Sequence, residues 1–222
     1  MDTPNTTTLE IADLTSWEQR KRAQLINSLG GFKSVCLIGT QNKEHYTNLA
    51  IFNSVIHLGA NPPLIGFIQR PDTAERHTLA NILETGYYTI NHLNERIYRQ
   101  AHQTSARYPN EISEFDVTNL KPEFKNNFFA PFVAQSRVQI GVQFKERINI
   151  TLNNTILIIG EIKLLCFPTD CLSSDGFLDI EKAQTITCSG LDSYHKTERL
   201  SRLSYAKPDS EPTEIEITYP VK

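Results

Sequence analysis

Short apolar runs, each too brief for a buried helix, recur along this 222-residue chain and restrict its fold more than any other feature. Residues 35–38 read Val-Cys-Leu-Ile, 64–68 read Leu-Ile-Gly-Phe-Ile and 87–90 read Tyr-Tyr-Thr-Ile. Further runs occupy 138–144, 148–152 and 155–165, and another strand is expected from Tyr46. Brief apolar, β-branched and aromatic runs bounded by turn formers mark strands. Pro62-Pro63 leads into the 64–68 run, where fixed backbone angles do not interrupt a ladder.

Helical spacing is confined to three places. Thr15 and Glu18 have the spacing of a capping box, so a helix is expected from there to about Leu29, stopped by Gly30-Gly31. Residues 78–85 put Leu79, Ile82 and Leu83 on one side, with Gly86 at the stop, and a further helix is expected over 94–105. An irregular stretch with Pro109 and Pro122 covers 107–125. The order of elements is not the regular alternation of strand and helix that builds a doubly wound sheet. Many short strands with few helices predict a mainly β barrel. One domain is expected over 13–208, with a loose tail at 1–12 and an acidic, proline-containing tail at 209–222.

Charge and cysteines narrow the function classes. A net charge of −3 supplies no dense basic face for nucleic acid. The local cluster Arg20-Lys21-Arg22 reads as a solvated helix face. Cys36, Cys166, Cys171 and Cys188 form no C-x-x-C pair and predict free thiols in a reducing compartment. The N-terminus is polar, and no apolar run approaches the ~20 residues of a membrane span. A cytoplasmic protein is expected, without membrane or nucleic-acid partners. The six histidines show no H-x-H or H-x-x-x-H spacing, so no metal site is expected. A nucleophile elbow and a phosphate-binding Walker loop are missing too.

Two stretches carry candidate chemistry. The segment 70–78, Arg-Pro-Asp-Thr-Ala-Glu-Arg-His-Thr, lies between a strand and a helix, with Thr78 placed to cap that helix. Free amides and the dipole at a helix start attract anions, and Arg70 and Arg76 add guanidinium forks suited to phosphate. The segment 46–54, Tyr-Thr-Asn-Leu-Ala-Ile-Phe-Asn-Ser, mixes small, amide and hydroxyl side chains on a strand. A flat aromatic ligand needs such a mixture of apolar contact and edge donors, although an ordinary edge strand has the same composition.

These segments, taken in order, resemble the flavin reductase-like, FMN-binding split-barrel family. "TNLAIFNSVIHLGANPPLIGFI" is similar to its N-x-A-P-F-S … D-P-P segment, and "RHTLANILETGYYTIN" to its D-T-x-x-N-I-x-x-T-G-x-F-x-x-N segment. "SARYPNEISEFDVTNL", "FFAPFVAQSRVQIGVQF", "TILIIGEIKLL" and "GLDSYHKTERLSRLSYAKP" follow in register, so the resemblance covers about 30–208. It implies a six-stranded antiparallel split barrel with flanking α-helices, and a homodimer. It implies that Asn48, Leu49, Ala50, Ile51, Phe52, Asn53 and Ser54 line the isoalloxazine of FMN and begin its phosphate site. Arg76, His77 and Thr78 would complete that site, and Tyr194 would approach the flavin from its own or the partner subunit. The sequence departs from the family pattern at Ile51 (usually Pro), Asn53 (usually Ser), His77 (usually Asp) and Lys207-Pro208 (usually Arg-Pro).

The implied activity is hydride transfer from NADH or NADPH to the flavin, in which the cofactor does the chemistry and no catalytic side chain is named. His57 and His195 could orient the nicotinamide, but such a histidine is more often simply a surface or packed residue. Alternatives are an FMN-containing electron carrier, or a barrel that binds without flavin. A monooxygenase or another electron acceptor would be the protein partner. The double substitution Thr78→Val with Arg76→Ala is expected to abolish FMN retention on desalting. Undiminished retention would remove both residues from the phosphate site.

Overall fold

The computed structural model describes residues 6–71, 77–109 and 111–220. Its main sheet has seven antiparallel strands in the order β3-β2-β6-β9-β10-β5-β4. These are β2 (Cys36–Gln41), β3 (Thr47–Phe52), β4 (Val55–Ala60), β5 (Pro63–Gln69), β6 (Tyr87–His92), β9 (Gln139–Ile150) and β10 (Thr155–Cys166). β3 and β4 stand at opposite ends of this order, yet only Asn53 and Ser54 separate them in sequence. The sheet therefore curls until its ends meet at that turn. There the Ile68 amide donates to the Ser54 carbonyl (3.3 Å) and the Ser54 hydroxyl to the Ile68 carbonyl (3.2 Å). A split barrel results, with seven strands rather than six because the chain breaks between β3 and β4. β1 (Lys33–Ser34), β11 (Thr187–Ser189) and β12 (Ser193–His195) form a small sheet, and β7 (Pro122–Glu123) pairs with β8 (Phe132–Val133).

β2 is buried along its whole length because both its faces meet apolar clusters. Leu37 packs with Leu49, Leu93, Ile97, Ala101 and Phe115 on one side. Cys36 and Ile38 pack with Phe67, Leu79, Ile82, Tyr88 and Ile158 on the other. Alternate side chains point to opposite faces, so a strand with two buried faces reads as an unbroken apolar run. Helix α3 (His77–Thr85) sends Leu79 and Ile82 into the second cluster. Helices α4 (Tyr98–Gln103) and α5 (Glu114–Thr118) supply Ala101 and Phe115 to the first.

Several local expectations change. The residues Thr15 to Glu18 form no capping box. Thr15 ends helix α1 (Ile11–Thr15), where its hydroxyl donates to the Ala12 carbonyl, and Glu18 alone caps α2 (Gln19–Ser28) by accepting from the Lys21 amide (3.1 Å). The runs 138–144 and 148–152 are one strand, β9. The charged residues Lys145, Glu146 and Arg147 that look like a turn point to solvent from a long ribbon, where Lys145 meets Glu161 of β10 at 2.9 Å. The helix expected over 94–105 shortens to α4, and α5 lies inside the stretch read as irregular. Residues 206–220 return to the same chain, with the Tyr219 hydroxyl donating to Asp179 Oδ2 at 2.6 Å. Arg199 holds the other oxygen of Asp179, also at 2.6 Å.

Gly39 on β2 marks the tightest approach to the barrel wall. A Cβ there would lie 2.3 Å from the Pro131 carbonyl oxygen and 2.7 Å from Thr89 Oγ1. The first is backbone and cannot rotate away. Gly39→Ala is expected to destabilise the fold by about 1–3 kcal/mol through overpacking. Gly30→Ala, with no heavy atom within 4 Å of the added carbon, should leave the urea midpoint near wild type. Equal midpoints for both variants would contradict the contact at Gly39.

Candidate functional site

A groove of about 810 Å³ opens at the barrel seam. Such a volume falls within the range of small-molecule and cofactor sites. Its walls come from the β3–β4 turn, the end of β5, the start of α3, the segment after α4, and the β11–β12 turn. Asn48, Ala50, Ile51, Phe52, Asn53, Ser54, Arg70, His77, Thr78 and Tyr194 all line it. Folding thus brings together residues up to 146 positions apart (194 minus 48). Leu49 is different: its side chain is fully buried in the apolar cluster beneath β3, because neighbouring residues of a strand face opposite ways. Arg76 lies outside the described residues.

The polar side chains have distinct tasks. The described helix α3 begins at His77, so Thr78 sits within its first turn rather than capping it. The Thr78 hydroxyl accepts from Asn48 Nδ2 at 2.9 Å, and among the described residues its own proton meets no acceptor. Asn53 Nδ2 donates to the Gly190 carbonyl at 3.1 Å and so ties the β11–β12 turn to the seam. Lys33 Nζ donates to the same carbonyl at 2.9 Å. Gln69 also lines the groove, and among the described residues its buried Oε1 has no hydrogen-bond partner. A buried acceptor left unpaired is costly.

Tyr194 lines the groove of its own chain. Its hydroxyl shares a 2.8 Å hydrogen bond with His102 Nδ1. Burial, then the proximity of Cys188 and Asp192, pushes its phenol up to about 12, so it remains a neutral aromatic wall.

Glu114 and the segment 104–109 also line the groove, as does Cys188, although the sequence reading assigned none of them to it. Glu114 and residues 105–109 lay within the stretch "SARYPNEISEFDVTNL" that carried part of the resemblance, which was the available signal. Glu114 is 6% exposed and its Oε2 accepts from the Leu49 amide at 2.9 Å, which docks α5 against β3. Burial raises its carboxyl above the ordinary value, against the opposing pull of that amide and of His77. A raised pKa keeps the protonated form present to higher pH and lessens the repulsion of an anion sharing the groove.

Residues 32–172 match the model of the flavin reductase like domain. The chain belongs to this flavin reductase like family. A solved structure from Shewanella frigidimarina NCIMB 400, described as a candidate flavin reductase with a split barrel domain, is 48% identical. That match covers 90% of this chain and 100% of the other, with a TM-score of 0.88. Nitrilotriacetate monooxygenase component B from Bacillus cereus is 19% identical over 90% of this chain and 100% of its own, with a TM-score of 0.77. Flavoredoxin of Desulfovibrio vulgaris (Miyazaki F) is 22% identical over 81% and 92%, with a TM-score of 0.67. The last two share the fold. The family is one of flavin-related oxidoreductases, and its barrel is the split barrel of the present chain. Among the described residues, no helix is long and apolar enough to cross a membrane.

The raised carboxyl of Glu114 gives this flavin reductase like domain an expected pH dependence of definite direction. A carboxyl that holds its proton more tightly when folded loses stability as pH rises from its unfolded value through its raised folded value. Glu114→Gln keeps an oxygen for the Leu49 amide and removes the titration. The loss of urea stability between pH 4.5 and pH 8 is therefore expected to be smaller in the variant than in wild type. An identical pH profile would mean that Glu114 does not titrate abnormally.

Proposed function

We propose that the groove binds FMN and that the protein is an NAD(P)H-dependent flavin reductase. The observation that carries this reading is the pairing of an apolar slot with an anion-attracting end in one groove. Ala50, Ile51, Phe52 and Tyr194 supply apolar and aromatic surface for a flat ring system. The start of α3, the Thr78 hydroxyl and the Arg70 guanidinium supply donors and positive potential for a phosphate. Arg76 is proposed to join them. When bound, FMN would supply the redox chemistry by accepting hydride from NADH or NADPH at its N5.

The protein's own residues would bind, orient and exclude water. Asn53 would act through the Gly190 turn that closes one end of the groove, rather than as the direct phosphate donor that its alignment with a serine implies. Ser54 and Asn48 flank the slot. A second copy of the chain is the proposed assembly partner, because the edge strand β4 leaves Ile56 and Leu58 about 40% exposed. A monooxygenase or another acceptor is proposed to take the reduced flavin, in keeping with a structural neighbour described as a monooxygenase component.

The test is the visible spectrum of the purified, desalted protein after incubation with FMN. A retained flavin band bleached by NADH or NADPH is the expected outcome, and gel filtration of the same sample is expected to show a dimer. A retained band that neither nucleotide bleaches would instead indicate an electron carrier. Absence of binding at saturating FMN would overturn the flavin reading.

A further inference from the structure

Four buried polar side chains form a hydrogen-bonded line from inside the barrel to the groove. They are Thr40 (0% exposed), Asn81 (8%), Asn48 (7%) and Thr78 (6%). Asn81 Nδ2 donates to Thr40 Oγ1 at 3.1 Å. Asn48 Nδ2 donates to the same oxygen at 3.3 Å and to Thr78 Oγ1 at 2.9 Å. Burial of four such groups is costly unless their partners are fixed. Here one amide nitrogen on each asparagine does the fixing, and all three bonds run from amide to hydroxyl.

The direction of these bonds matters for the groove. Thr40 receives two amides on its two lone pairs, so it is held as an acceptor. Asn48 uses both of its Nδ2 hydrogens, one toward Thr40 and one toward Thr78. Thr78 is therefore an acceptor toward the barrel interior, and among the described residues its own O–H proton meets no acceptor and is available to the groove that it lines. Without the Thr40 oxygen, the Asn48 amide could turn over and present Oδ1 to Thr78. That oxygen would draw the Thr78 proton inward and leave a lone pair, not a donor, facing any anion. A donor and an acceptor at this position have opposite effects on a phosphate.

We propose that Thr40, supported by Asn81, is a positioning residue that sets the donor polarity of Thr78 toward a phosphate monoester in the groove. This rests on the FMN reading of that groove. Neither Thr40 nor Asn81 lines the groove, so both act only through Asn48.

FMN and riboflavin differ only by the phosphate, and flavin fluorescence quenching reads the dissociation constant of each. In Thr40→Val, which is close to wild type in shape, FMN affinity is expected to fall about tenfold while riboflavin affinity changes less than about twofold, the size of one lost hydrogen bond to a charged group. Thr40→Ser restores the hydroxyl and should restore the wild-type ratio of the two constants. A folded Thr40→Val protein, judged by its melting transition, with an unchanged ratio overturns the proposal. If Thr40→Val does not fold, Asn81→Leu is measured instead. It removes one of the two amides on Thr40, so a ratio shifted in the same direction supports the proposal and an unchanged ratio overturns it. Wild type that binds FMN and riboflavin equally also overturns it, while leaving the flavin reading intact. Wild type that binds neither overturns the flavin reading and this inference together.

Discussion

Leu37 faces one apolar cluster and Ile38 the other, so β2 offers no side to solvent. That double burial is the constraint around which the rest of the molecule is arranged. It brings α4 and α5 onto one face of the strand, and the barrel interior with α3 onto the other. Gly39 belongs to the same strand, and the Pro131 backbone approaches it closely enough to leave no room for a side chain. Close packing of this kind has little tolerance for added volume. The polar residues of β2 are correspondingly few, and Thr40 is the one that links the interior to the groove.

The barrel seam converts this rigidity into a site. β3 and β4 are joined by two residues but lie at opposite ends of the sheet order, so the sheet is open where the chain turns. An opening in a barrel wall exposes backbone and side chains that a closed ladder would cover. The groove occupies that opening, and α3 begins at its rim. The groove-lining residues 48, 50–52 and 69 are thus carried by strands of the main sheet. Support of a site by such rigid elements favours precise placement of its polar groups.

Glu114 shows how the same residue can hold the scaffold and shape the site. Its carboxylate accepts from the Leu49 amide, so α5 is docked on the strand whose next residue, Ala50, lines the groove. Burial favours its neutral form, while the amide and His77 favour its charge. Burial is the largest of these influences, which makes an acidic side chain compatible with a neighbouring anion. Asn53 has a similar double character, since its amide secures the Gly190 turn while the residue itself faces the groove.

The mainly β class, the strands at 36–41, 63–69, 87–92 and 155–166, and the helix over 77–85 were legible in local pattern. Hydrophobic periodicity and glycine stops report a residue's own surroundings, and those signals are local. β4 was missed because Val55 to Ala60 carries Ile56, His57 and Leu58 at an exposed edge, where burial does not impose a clear alternation. The split of β9 into two was wrong for a related reason: charges on a solvent-facing ribbon look like a turn until the partner strand is known. Most of the candidate groove residues came from resemblance carried across by position. Leu49 could not be told from its neighbours in that way, because only the strand's orientation sends it into the core. Glu114, Cys188 and the Thr40–Asn81 line depend on contacts between residues 41 to 65 positions apart or on pairing with a distant strand. Sequence by itself determined the mainly β class and the strands and helices whose burial leaves a clear local pattern, since that choice rests on neighbouring side chains. Only the tertiary structure decided which of those segments meet at the seam, and in which direction the buried amides donate, because both follow from packing that no local pattern encodes.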